Sequence, residues 1–171
     1  MNFSIRLATK ADCKDIWRMI RDLAIHQKML DQMMITYEDL ERDAFGPNPW
    51  CETLMAEVPE ENKSKEGFKA VGFALYFYSY STFKGRTVYL EDFFVMPEFR
   101  GFGIGKNLLR TVAKVATEKQ CAHLELSVLG QNINSRSFYA AHGAEDIAVR
   151  DDWHYLRFST QSLTNFISCQ K

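Results

Sequence analysis

Two neighbouring features between Tyr89 and Ala116 have the residue types and spacing to do chemistry. The first is a pair of acids, Glu91 and Asp92, set inside the otherwise apolar run YLEDFFVM. The second is RGFGIGK, Arg100 to Lys106, which places Gly101, Gly103 and Gly105 where a strand hands over to an amphipathic helix. Glycine at alternate positions lets backbone N–H groups converge with no side chain in the way. The helix that follows adds its own free N–H groups and the positive end of its dipole. Such a loop is an anion cradle, suited to a phosphate or pyrophosphate. The acids raise a different question. Neighbours on a regular strand point to opposite faces, so at most one of the two carboxylates can serve a given pocket directly.

The spacing separates this loop from two better-known ones. A nucleoside-triphosphate loop needs G-x-x-x-x-G-K-[ST], and GFGIGKN has neither that spacing nor a Ser or Thr after Lys106. A dinucleotide fingerprint needs G-x-G-x-x-G, and here Leu108 stands where the third glycine would be.

The elements that must position these residues follow from the patterning. FSIRLA alternates as a strand, Thr9 and Asp12 form a capping box, and Ile16, Met19, Ile20, Leu23 and Ala24 recur at helical spacing to about Gln27 or Lys28. Thr36 with Asp39 opens a second short helix that closes at FGPNPW. ETLMAEV reads as a strand and PEENKSKEG as a charged surface loop. FKAVGFALYFYSYS and RTVYLEDFFVM read as antiparallel partners around an FKG turn. After the glycine loop come a helix to about Lys119, the strand AHLELSVL, and a short helix in NSRSFYAAHGA capped by Gly143. WHYLRFS is expected as a last strand, followed by a final short helix. The order predicts a single mixed α/β domain over residues 1–171.

Bulk composition narrows the partners. The formal net charge of -1 argues against a polyanion such as nucleic acid, so an anionic ligand would be small and locally held. Cys13, Cys51, Cys121 and Cys169 lack metal-ligand or CxxC spacing and read as reduced thiols. His26, His123, His142 and His154 are equally scattered, so no metal site is expected. MNFSIRLATK lacks the apolar core of a signal peptide and no run reaches membrane-spanning length, which makes the cytoplasm the expected location and a membrane partner unexpected.

The string FFVMPEFRGFGIGKNLL resembles the acetyl-CoA loop of the GNAT acetyltransferases, [Arg or Gln]-x-x-Gly-x-[Gly or Ala], filled here by Arg100, Gly103 and Gly105. With YLEDFFVM upstream, ADC.DI near the start and SFYAAHGA downstream, nearly the whole chain is similar to the spermidine/spermine and thialysine acetyltransferase subfamily. The resemblance implies the GNAT fold, a mostly antiparallel mixed sheet flanked by helices, with acetyl-CoA as co-substrate and a homodimer. It places the backbone of Phe93, Phe94 and Val95 against pantetheine. Arg100, Gly101, Phe102, Gly103, Ile104, Gly105 and Lys106 fall around the pyrophosphate, and Asn132 and Ser135 along the CoA arm. Tyr139 matches the tyrosine near the thioester sulfur.

The chemistry agrees with that assignment. Acetyl transfer to an amine needs a neutral nitrogen, so a carboxylate must accept a proton, and the departing thiolate needs a donor. Tyr139 is the expected donor and Glu91 the expected base, in a direct attack on the acetyl group. The expected acceptor-binding set is Gln27, Glu91, Asp92, Glu125, Ser127 and Asp151, for a small primary amine. A protein lysine or N-terminus is the alternative acceptor, and a degenerate acyl-CoA-binding module the non-enzymatic reading. Two departures stand out. Gln27 replaces a glutamate of the polyamine enzymes, and Arg150 adds a cation that could meet a substrate carboxylate. Ala140, Ala141 and His142 stand where relatives carry basic residues, which predicts weaker hold on the 3′-phosphate of CoA.

Overall fold

The computed structural model describes residues 1–168. The chain clusters into two compact units, Met1–Ser127 and Val128–Lys171.

The first unit holds a sheet of five strands, β1 (Ser4–Leu7), β2 (Glu52–Glu57), β3 (Ala70–Ser81), β4 (Gly85–Val95) and β5 (His123–Leu126), in spatial order β1-β2-β3-β4-β5. The first four pair antiparallel, and β5 joins β4 in parallel after the crossover helix α3 (Ile104–Glu118). The hairpin turn lies where expected, at residues 82–84, with Gly85 at a φ of 92°. α1 (Cys13–His26) follows a single 3-10 turn, and α2 (Tyr37–Phe45) begins at the expected Thr36–Asp39 capping box.

Asp12 does more than cap. Its carboxylate takes two bonds from the Arg6 guanidinium at 2.7 Å, and Arg6 also grips Glu57 on β2. That fork ties the first strand, the entry to α1 and β2 together, and it holds the Asp12 carboxyl down at about 2.

Residues 70–76 of β3 are buried one after another, so both faces of the sheet are covered. α3 covers one face: a Cβ at Gly72 would lie 3.4 Å from Leu108, and Gly105 faces the ring of Phe93. α1 packs on β3 and β4, and its Ile16 and Met19 belong to the same buried core cluster as Met55 and Phe73.

In the second unit α4 (Ile133–Ala141) ends at His142, and Gly143 follows at a φ of 92° with its N–H on Ala140 O, as a C-terminal glycine should. α5 (Ile147–Asp151) and α6 (Thr160–Ser168) complete it. The expected strand WHYLRFS is not one: residues 153–159 form no ladder among the described residues. The alternation that suggested it is real, but a strand needs a partner for its backbone groups. Here Trp153, Tyr155, Leu156 and Phe158 stand exposed. β5 is likewise shorter than AHLELSVL, ending at Leu126.

Candidate active site

The glycine loop has the backbone that its sequence requires. Gly101 and Gly103 have φ of 83° and 85°, a region that L side chains enter at a cost of about 1–2 kcal/mol. Gly103 is the N-cap of α3 and offers no side chain to the first-turn N–H groups, and that turn carries no acid. Ile104 is buried and anchors the helix, while Phe102 and Lys106 remain exposed at the mouth. The uncapped start of a 15-residue helix, with Lys106 beside it, fits a pyrophosphate.

Arg100, expected among the phosphate ligands, has partners within the chain. Its Nε donates to Val95 O at 2.9 Å, and its guanidinium lies 5.9 Å from the Phe94 ring. It pins the loop back onto the end of β4. The Val95 carbonyl is therefore already bonded, which leaves its N–H as the backbone group of Val95 for a pantetheine chain.

The acids sit at a β-bulge. Across β3 and β4, Tyr76 pairs with Leu90 but Leu75 pairs with Asp92, so Glu91 is the inserted residue with no opposite number. The strict alternation from which opposite faces were expected for Glu91 and Asp92 is therefore interrupted between Leu90 and Asp92. An extra residue breaks the alternation, and the parity of everything after it reverses. Phe77 pairs with Tyr89, Leu75 with Asp92 and Phe73 with Phe94, and these β3 residues share one face. Asp92 consequently lies on the face of Tyr89, away from α3. Burial is the main cause that pushes its carboxyl up to about 6, and the neighbouring charge of Glu91 adds to it.

β5 brings two further expected residues to the same place. Glu125 pairs with Tyr89, so it shares that face, and Ser127 follows two residues on. The Tyr89 and Ser127 hydroxyls are 2.6 Å apart, and the Tyr89 ring stacks on Phe77 at 5.2 Å with 28° between planes. The β4–β5 ladder stops at Leu90 and Leu126, where the bulge begins. Among the described residues no cation pairs with Glu91, Asp92 or Glu125. Gln27 is the C-cap of α1, its N–H on Leu23 O and Ile25 O.

The remaining expected residues belong to the second unit. Asn132 caps α4, its side-chain oxygen accepting from Ser135 N at 3.1 Å. Tyr139, on the same helix, meets Phe138 edge to face at 5.4 Å, and burial raises its hydroxyl to about 12, so it stays protonated at neutral pH. Asp151 is gripped through both oxygens by Arg150, which also reaches Glu145. The Arg150 charge is thus met within its own unit, and Asp151 is held below the usual carboxylate range by that bond.

Sequence reading missed the bulge because no glycine or proline marks it. It missed the Tyr89–Ser127 pair because the two are 38 positions apart.

A mixed sheet, an uncapped helix start behind a glycine turn and a bulged strand bearing acids give this unit an anion-suited loop and a carboxylate-bearing strand. The comparisons give the family. The model for the acetyltransferase (GNAT) family matches residues 17–144. The chain is 43% identical over 159 residues to the thialysine N-epsilon-acetyltransferase of Bos taurus, covering 93% of this chain and 94% of that one. It is 39% identical over 161 residues to a human spermidine/spermine N(1)-acetyltransferase-like protein 1, covering 94% of this chain and 23% of the relative. A solved integron cassette protein from V. cholerae shares the fold at a TM-score of 0.75 and 23% identity, covering 98% of this chain and 99% of that one. The chain belongs to the GNAT acetyltransferase family.

Proposed function

We propose that this enzyme moves an acetyl group from acetyl-CoA to a primary amine of a small molecule, a polyamine or a thialysine- or lysine-like amine. The observation that carries the acceptor class is the set of carboxylates Glu91, Asp92 and Glu125 in one region of the sheet, with no cation among the described residues to neutralise them. A cationic amine supplies the missing charge. The names of the related enzymes support the same class.

Acetyl-CoA supplies the activated thioester. The chain holds its pyrophosphate at the start of α3, with the backbone of Phe93, Phe94 and Val95 along the pantetheine and Asn132 and Ser135 along the arm. At the bulge, Glu91 or Asp92 takes a proton from the ammonium, directly or through a water. The free amine then attacks the thioester carbonyl, the C–N bond forms and the C–S bond breaks. Tyr139 gives its proton to the departing sulfur and is restored by the second proton, which the nitrogen loses as it becomes an amide. The proton that entered at the carboxylate leaves to solvent, and no acetylated protein forms.

Residues 1–171 act as one catalytic domain, since the family match crosses the boundary between the two units. The exposed side chains of Trp153, Tyr155, Leu156, Phe158, Phe166 and Ile167 support a homodimer built through this region. Near-neutral charge supports a small ligand over a nucleic-acid partner, and the location proposed for the enzyme is the cytoplasm. No described helix is long and apolar enough to cross a membrane.

The test is a turnover screen with acetyl-CoA across spermine, spermidine, putrescine, thialysine, lysine and simple amines, followed by initial-rate kinetics in both substrates. Intersecting double-reciprocal lines with a small amine are expected. Parallel lines with an isolable acetyl-enzyme, or turnover on peptides alone, refute the reading.

A further inference from the structure

Tyr89 is an aromatic residue on the sheet face that carries Asp92 and Glu125. It pairs across the sheet with Phe77 on one side and Glu125 on the other, and the bulge places Asp92 on its face. It cannot swing freely. Phe77 stacks against one side of the ring, and the hydroxyl is fixed by Ser127. A packing role alone does not use two observations. The ring is only half-buried on the sheet face that carries Asp92 and Glu125, and its hydroxyl meets the exposed Ser127 just past the end of β5. A rigid, half-exposed ring beside carboxylates that lack a cation matches one ligand chemistry: an alkylammonium, whose methylenes lie on the ring while its charge meets the acids.

We propose that Tyr89, braced by Phe77 and Ser127, is the specificity-determining floor of the acceptor site, and that it selects amines carrying an apolar methylene chain next to the reacting nitrogen. The inference rests on the acceptor reading above. It adds that chain length is sensed by an aromatic surface and charge by the carboxylates, so the two can be separated by mutation.

The experiment measures KM for the amine, KM for acetyl-CoA and kcat across α,ω-diamines of increasing length and against ethanolamine. It uses wild type, Tyr89→Leu, Tyr89→Phe and Tyr89→Trp. Tyr89→Leu should raise the amine KM by on the order of ten-fold for the longer diamines and flatten the dependence on chain length, as loss of a ring–cation contact implies. Its acetyl-CoA KM should stay within about two-fold, since the pyrophosphate loop lies elsewhere. Tyr89→Phe should keep the wild-type chain-length profile, and Tyr89→Trp should shift the optimum to shorter diamines. If Tyr89→Leu does not fold, the Tyr89→Trp shift decides. An unchanged profile in the Leu and Trp variants overturns the inference while leaving the acceptor reading intact. Absence of turnover by wild type on every amine overturns both.

Discussion

Asp92 should make the protein less stable at neutral pH than it would be with an uncharged isostere. The carboxyl sits at about 6 instead of its ordinary 3.8, chiefly through burial and next through Glu91. The sign follows directly. A carboxyl whose folded value is raised costs nothing below its unfolded value of 3.8; its penalty grows as pH rises from there to the folded value near 6 and is fully present above it. The gap corresponds to about 3 kcal/mol at full effect, and partial contact with water lowers it to roughly 1.5–3 kcal/mol. Asp92→Asn keeps the shape and removes the charge. Urea or thermal unfolding at pH 7.5 should show the variant more stable, with a midpoint higher by about 3–10 °C. Near pH 4.5 the advantage should shrink to about 1 kcal/mol or less, because the wild-type carboxyl is then protonated in the fold. Acetyl transfer should fall in the same variant. If Asp92→Asn is destabilising, or its advantage is equal at both pH values, the carboxyl is not desolvated as the bulge geometry requires.

Tyr139→Phe removes the proton donor and should lower kcat by on the order of ten-fold, with acetyl-CoA KM little changed in initial-rate assays. Gly103→Ala puts a Cβ at a φ of 85° and should cost about 1 kcal/mol in urea unfolding while raising the acetyl-CoA KM. Asp12→Ala breaks the fork with Arg6 and should cost roughly 1–2 kcal/mol at pH 7, discounted for the part-exposed guanidinium. The Asp12 value of about 2 lies below the ordinary 3.8, so that stabilisation is present above pH 3.8 and fades as pH falls through about 2, visible as a wild-type-only acid transition. Dephospho-CoA should compete with acetyl-CoA nearly as well as CoA does, because Ala140, Ala141 and His142 leave few cations for the 3′-phosphate; a large preference for CoA in inhibition assays would refute this.

The glycine loop was legible because its constraint is local: two left-handed residues and an uncapped helix start can be satisfied by few sequences, and RGFGIGK is one. The strands and helices of the first unit were legible from periodicity for the same reason. WHYLRFS failed because a strand is a relation between two segments, and period-2 alternation names only one of them. The bulge failed through a related gap. Alternation was read forward through LEDF as if each residue had an opposite number, whereas the count on β3 decides it. Arg150, which from the sequence could meet a substrate carboxylate or stand as a surface charge, is met by Glu145 and Asp151, both close in sequence.

One consequence of the inserted Glu91 concerns chain length instead of chemistry. Because Glu91 has no opposite number, its removal would leave Asp92 opposite Leu75 and Phe94 opposite Phe73, and only the kink would be lost. The strand can therefore give up one residue at the bulge and keep its faces. A laboratory library that varies the length of residues 86–92 should recover folded variants one residue short as well as full-length ones.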